Sequence, residues 1–585
     1  MTPSLPPSPA LVSEPEPPHP AANAAVAAMM PSRRRRVWLT RHTVGGDAAL
    51  LWSRLVNFSR RSNTREHPQT HPLRHVVRAR DPACISGPTV SNHLLSFPPT
   101  PIGFPKTEEV SATDTQQTDP THDVVVIGGG PGGYAAALYG AGIGLDIGII
   151  EHNILGGTCL NVGCIPAKEL LETAHVFRTV GHASDFGVNA GTPTIDWSVT
   201  LTRKQAIIDQ LVGGLGGLLK QRKVTVYDGV GSLGSNRAVT VTGADGAHTT
   251  ITGKAVVIAA GSTTRTIPGF EVDGRIVMTS DEVLSMEKLP ASAVVIGGGA
   301  IGCEFASMMG DMGVAVTVLE AMPQLLTGCD PDATKVVQRS FKKRGIKTRT
   351  GVGVTGHTPK ADGSGTTVHF GEGESVDVET VIVSVGRRPF ADLLGLEGTA
   401  VGVDERGFVQ VDERCRTAEA GVWAVGDIIN TPQLAHVAFA EGMLAIRDIL
   451  GEEPAPLDHH GTPWCIYCHP EVAFAGHTEQ SAIDAGYDVV TSKHSFLGNG
   501  RAKIVGDTDG IVKVIAEKRA DGTAGRILGV HMVGPWVTEQ LGQGYLAVNW
   551  EATVDDVAAF IQPHPTMSEL FGETVLSLTG RGLHG

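Results

Sequence analysis

One pattern, used twice, limits what this chain can fold into more than anything else in it. "DVVVIGGGPGGYAAA" opens with an apolar run of strand length, passes through Gly128, Gly130 and Gly133, and turns into a small-residue helix. "SAVVIGGGAIGCEFA" repeats the arrangement with Gly297, Gly299 and Gly302. In each case an acid ends the next apolar run 23 residues after the first glycine: Glu151 in "DIGIIE" and Glu320 in "VAVTVLE". A strand, a tight turn and a helix start have a physical use together. The glycines permit the turn, close backbone approach and tight helix packing; the helix N-terminus holds a pyrophosphate, and the acid accepts hydrogen bonds from a ribose. Two Rossmann-like dinucleotide folds are predicted, giving an α/β protein. A 2′-phosphate would call for a base near the second acid, and "AMPQLLTGCDPDAT" after Glu320 offers none before Lys335. The second nucleotide is therefore expected to be NAD rather than NADP.

A chain of 585 residues exceeds one hydrophobic core, so several domains are expected. No run of about eighteen apolar residues is free of polar interruption, so no membrane span is predicted. Charge is uneven. Residues 1–105 hold 12 Arg, no Lys and 5 acids, which leaves −21 of the formal −14 on the remaining 480 residues. An acidic body is a poor nucleic-acid binder. Residues 1–105 also hold 17 of the 35 prolines. The first 121 residues lack a sustained period of 2 or 3.6 and are expected to be a disordered extension. Three origins stand open for it: an Arg-rich targeting segment over Met30 to Arg65, a partner-binding tail, or sequence upstream of the true start. A fused lipoyl-carrying domain is excluded there, because no lysine precedes Lys106. The expected location is cytoplasmic, or the mitochondrial matrix if the extension includes a targeting segment.

Eight cysteines in 585 residues do not form a secreted disulfide framework, and a reducing compartment makes a close pair a candidate for catalysis. Such a pair stands in "GGTCLNVGCIPAK". Five residues of regular helix rise about 7.5 Å, beyond the reach of a disulfide, so Cys159 and Cys164 can be bonded only across irregular backbone. Gly156, Gly157 and Gly163 supply it. A helix start beside the pair stabilises a thiolate and makes the dithiol competent for disulfide exchange. A second close pair, Cys465 and Cys468 in "WCIYCHPEVAF", has no other ligand pair nearby and is expected to alternate across a strand as ordinary packing, a zinc site being the lesser reading. No metal is expected.

The order of these motifs resembles the pyridine nucleotide-disulfide oxidoreductases from about His122 to the C-terminus, and most closely their dihydrolipoamide dehydrogenase branch. The resemblance rests on both glycine motifs, "GGTCLNVGCIPAK", "VIVSVGRRP", "GVWAVGD" with "LAH", "PEVAFAGHTE", "GRILGVHMVGPWVTEQL" and "HPTMSE". It implies an FAD-binding domain in two parts (122–265 and 388–459), an inserted NAD-binding domain (266–387) and a C-terminal α/β dimerisation domain (460–585). It also implies that Cys159 forms the mixed disulfide with lipoamide and that Cys164 is the thiolate beside the flavin. Lys168 would lie near the flavin ring and pair with Glu304. Asp427 would hold the FAD ribityl and phosphate region, with Ala435 and the backbone near Gly231 as further contacts; Gly386 would approach the nicotinamide nucleotide. His564, oriented by Glu569 five residues on, would deprotonate a dihydrolipoamide thiol, and in this family it comes from the other subunit of a homodimer. The implied partners are lipoylated acyltransferases of 2-oxo acid dehydrogenase complexes and the lipoyl protein of glycine cleavage. Two other readings stand beside this one: a reductase of another disulfide or of a quinone, and a flavoprotein acting mainly as a binding subunit. Ala167 and Ala260 replace hydroxyl residues frequent in the family, and a tuned flavin environment is the expected consequence.

Overall fold

The computed structural model describes residues 121–584, so the expected disordered extension lies, apart from Thr121, outside the described residues. The first glycine motif sits in a parallel sheet whose central strand, His122–Ile127, pairs with Ile147–Glu151 on one side and His248–Ile258 on the other. Thr225–Asp228 extends this sheet at one edge, and Val422–Ala424, far along the chain, pairs with the other side of His248–Ile258. The valines and isoleucines of the three central strands are buried, as expected of parallel strands covered on both faces, whereas Val226 on the edge strand is exposed. The helix Pro131–Gly142 covers one face and packs against the helix Ala435–Ile449. That contact is close because Gly442 faces the backbone oxygen of Gly132, where a Cβ would lie 2.5 Å away.

The second glycine motif heads a separate parallel sheet with strand order Lys347–Thr350, Ala315–Glu320, Ser292–Ile296, Thr380–Val383 and Val277–Met278. Residues 464–534 supply five strands of an antiparallel sheet, with Ala524–Gly534 between Glu471–Gly476 and Ile511–Lys518. Helices from residues 537–577 pack on this sheet around Met532, Leu570 and Phe571. None of the described helices is long and apolar enough to cross a membrane.

Position 330 connects the second and third sheets. Asp330, fully buried, caps the helix Pro331–Lys343 by accepting from the Asp332 N–H at 3.0 Å. Both of its oxygens also lie 3.0 Å from Nζ of Lys513 in the antiparallel sheet. Asp332 and Glu479 accept from the same ammonium at 3.1 and 2.7 Å, so a buried lysine has its charge balanced where the two sheets meet.

Candidate active site

A cavity of about 1330 Å³ runs past both glycine motifs. Of the residues expected to act, it is lined by Gly128, Gly130, Glu151, Cys159, Cys164, Lys168, Gly231, Gly297, Gly299, Glu304, Glu320, Gly386, Asp427 and Ala435. Gly133 and Gly302 stand behind the wall. A Cβ on Gly133 would meet the Gly128 oxygen at 1.8 Å, and one on Gly302 the Gly297 oxygen at 1.9 Å, so each allows its helix to close on its strand. Gly128 and Gly297 have φ of +109° and +104°, a conformation open to glycine, and a Cβ on either would press on the oxygen of Ala259 or Ser384.

Besides the single-turn helix at Gly157, four longer helices begin at this cavity without a side-chain cap. They start at Pro131, Cys164, Ala300 and Ala435, and the residues before them are Gly130, Gly163, Gly299 and Leu434. Uncapped N–H groups and the positive ends of four helix dipoles therefore meet in one space, which suits the diphosphates of two dinucleotides and a thiolate. The two acids are set alike. Glu151 accepts the Gly129 and Asn153 N–H groups, both at 2.9 Å, and Glu320 accepts those of Gly298 and Met322 at 2.6 and 2.7 Å. Each carboxylate oxygen keeps a lone pair for a ribose hydroxyl. The lysine and arginine lining the cavity are Lys168 and Arg387, neither of which bonds Glu320. The donor set thus fits two dinucleotides, the second without a 2′-phosphate.

Cys159 lies in a short helix, Gly157–Asn161, and Cys164 is the first residue of the next, Cys164–Gly181. Val162 and Gly163 have non-helical backbone angles, so the segment between the cysteines is irregular, and both are free thiols. The Cys159 thiol hydrogen-bonds to Cys164 and, with the charge of Lys168, lowers the Cys164 thiol to about 7; the same hydrogen bond and burial push Cys159 up. One turn on, Lys168 Nζ lies 2.9 and 2.8 Å from the two oxygens of Glu304, which also accepts the Tyr467 N–H at 2.9 Å. Burial opposes the lysine's charge, but Glu304 outweighs it and the ammonium is held above its ordinary pKa.

Arg387 was not singled out by the sequence reading, although it follows Gly386 in "VIVSVGRRP". Its guanidinium donates to Ser262 Oγ at 2.7 Å and Ser262 O at 2.8 Å, and Ser262 Oγ donates to Asp427 at 2.6 Å. Asp427 is thereby held by a hydroxyl with an arginine behind it. Gln433 also lines the cavity, and its Nε2 is buried with no hydrogen-bond partner. Ala260 lines the cavity and Ala167 is packed in the core beside Leu170.

His564 and Glu569 do not line the cavity. Nδ1 of His564 lies 2.7 Å from Glu569 Oε2, so the pair forms locally, while the imidazole is 76% exposed. Nothing among the described residues brings that ring to Cys159. The second cysteine pair requires a correction. Cys465 lies in the strand Trp464–Ile466, but Cys468 is beyond its end, because Tyr467 and the turn into Pro470 leave the ladder; the two do not alternate across one strand. Cys468 is buried and donates to the Pro470 oxygen at 3.3 Å, and Cys465 points to the Thr538 oxygen.

The comparisons agree with this geometry. Residues 122–442 match the family model described as pyridine nucleotide-disulphide oxidoreductase, and residues 462–575 match its dimerisation domain. A dihydrolipoyl dehydrogenase of Bacillus subtilis is 41% identical over 474 residues, covering 79% of this chain and 99% of the relative. A mitochondrial dihydrolipoyl dehydrogenase of Pisum sativum is 36% identical, covering 79% of this chain and 92% of the relative. Among solved structures, LpdA of Mycobacterium tuberculosis superposes with a TM-score of 0.72 at 27% identity, over 78% of this chain and 99% of that one. The chain belongs to the pyridine nucleotide-disulphide oxidoreductase family.

Proposed function

We propose that this protein is an NAD-dependent dihydrolipoyl dehydrogenase, oxidising protein-bound dihydrolipoamide through the Cys159–Cys164 pair. The observation that carries the reading is that one cavity joins both glycine motifs and holds the dithiol with the Lys168–Glu304 pair between them. FAD occupies the side lined by Gly130, Asp427 and Ala435, and NAD⁺ the side lined by Gly299, Glu320 and Gly386. The chain divides accordingly into an FAD-binding domain (122–265 and 388–459), an NAD-binding domain (266–387) and a dimerisation domain (460–585).

His564, held through Nδ1 by Glu569, takes a proton from one substrate thiol. The resulting thiolate attacks Sγ of Cys159 in the disulfide form, and Cys164 leaves as a thiolate, matching its lowered pKa. The second substrate thiol then displaces Cys159, closing the lipoyl ring and leaving a dithiol on the enzyme. FAD held by Gly130, Asp427 and Ala435 would supply the two-electron relay from this dithiol, which returns to the Cys159–Cys164 disulfide, to NAD⁺ as the hydride acceptor. Lys168 stays charged against Glu304 beside the Cys164 thiolate and stabilises it. Because His564 stands outside its own chain's cavity, we assign it to the cavity of a second subunit, in a homodimer formed through residues 462–575. The partners of such an enzyme are lipoylated acyltransferases of 2-oxo acid dehydrogenase complexes.

The test is steady-state NAD⁺ reduction by dihydrolipoamide with FAD-loaded protein, with NADP⁺ as the competing acceptor. Rapid turnover with NAD⁺ and little with NADP⁺ is expected. An FAD-loaded dimer that does not turn over would overturn the lipoamide assignment in favour of another disulfide or a binding role.

A further inference from the structure

Six carboxylates are buried among the described residues: Glu151, Glu169, Glu304, Asp330, Glu441 and Asp448. Five of them face a basic side chain. His152 lies 3.3 Å from Glu151, Arg203 3.0 Å from Glu169, Lys168 2.8 Å from Glu304, Lys513 3.0 Å from Asp330 and Arg416 2.6 Å from Asp448. Glu441 has no such partner. It is 0% exposed, its Oε2 accepts the Gly426 N–H at 2.7 Å, and the Thr431 hydroxyl is the other donor against it, so neutral donors alone face this carboxyl. The contrast exists within one helix, Ala435–Ile449, where Asp448, two turns further on, also accepts from the Trp423 indole at 3.0 Å.

The charged and titratable neighbours of Glu441 make its ionised form worse still. The charge is that of Asp427 from the 426–428 turn; Cys415 from the 412–416 turn is a neutral thiol held up by burial, and hydrogen bonds from the Thr431 hydroxyl and the Gly426 N–H offset part of the effect. Burial first, and Asp427 in addition, push the Glu441 carboxyl up to about 7. Gly426, whose N–H Glu441 accepts, lines the cavity together with Asp427 and the helix start at Pro131.

We propose that Glu441 is a positioning residue for the flavin: in its neutral form it supports, through Gly426, the turn that presents Asp427, and its ionisation weakens the hold on an anionic dinucleotide. The inference rests on the flavin reading above. An anion bound near an unpaired acid favours the acid's neutral form, so binding FAD is coupled to holding a proton on Glu441. The sign follows: a raised carboxyl pKa keeps the group neutral below about 7 and charged above, so affinity is highest at low pH and falls as pH rises through the group's range.

The experiment uses purified holoenzyme at constant ionic strength and measures free FAD in ultrafiltrates at pH 6, 7, 8 and 9. The dissociation constant should rise with pH, by no more than about tenfold per pH unit, the limit for one proton. Glu441→Gln keeps an oxygen for the Gly426 N–H and cannot ionise; its dissociation constant should be flat across the range and match wild type at pH 6. A flat wild-type profile, or a Gln variant that keeps the rise, would overturn the proposal. Protein that purifies without FAD and binds none would instead overturn the flavin reading, so the two failures are distinguishable.

Discussion

The two glycine motifs are near copies in backbone and differ in what they carry. Both place a first glycine at a φ of just over +100°, both close the helix on the strand at a third glycine, and both fold their acid back onto the second N–H of the turn. The helix of the first, Pro131–Gly142, has no charged side chain; the helix of the second, Ala300–Asp311, brings Glu304 to Lys168 and Asp311 to Arg344. After Glu151 the chain runs directly into the cysteine pair, and after Glu320 into Asp330 and its contact with Lys513. The shared part is a holder for a nucleotide, and the chemistry comes from what leads out of it. The same holder can therefore occur twice in one chain with different duties.

The largest expected effect is at the segment unique to the first motif. Cys164→Ser should abolish NADH formation from dihydrolipoamide while FAD remains bound, measured by absorbance at 340 nm and by the flavin spectrum. Retained turnover would remove the dithiol from the mechanism. Next come Gly133→Val and Gly302→Val, each forcing a side chain onto a backbone oxygen. The first should yield protein depleted of FAD and the second protein that keeps FAD but fails to bind NAD⁺ in calorimetry. Equal loss of both cofactors in either variant would mean that the motifs do not act as separate holders. The smallest effect tests the acids: Glu151→Gln and Glu320→Gln each replace one acceptor of a backbone N–H with a donor. A hydrogen bond to a charged group contributes about 1.5–3 kcal/mol, so the change should weaken FAD or raise the KM for NAD⁺, respectively, by about tenfold or more. The other cofactor's affinity should be unchanged.

Much of this was legible before folding was considered. The glycine spacing dictates its turn because a Cβ at Gly133 or Gly302 collides with the backbone oxygen of the glycine five residues before it, and the acid at the end of the following strand is brought to the turn by sheet pairing alone. The irregular segment between Cys159 and Cys164 follows from its glycines in the same way. The cysteines at 465 and 468 show where the same reasoning fails: strand length is set by pairing with Glu471–Gly476, and the ladder ends before Cys468. Arg387 was equally hidden, since its purpose depends on Ser262, 125 residues earlier in the chain.

What the sequence determined, then, is whatever local sterics enforce: two nucleotide turns, an acid at each, and a flexible dithiol loop opening a helix. Tertiary structure alone decided the placing of Arg387 behind Asp427 and the burial of Glu441 without a cation. It also left His564 exposed and apart from its own chain's cavity. The physical reason is that a backbone conformation is fixed by neighbouring atoms on the same chain segment, whereas the energy of a buried charge depends on which distant side chain is packed against it.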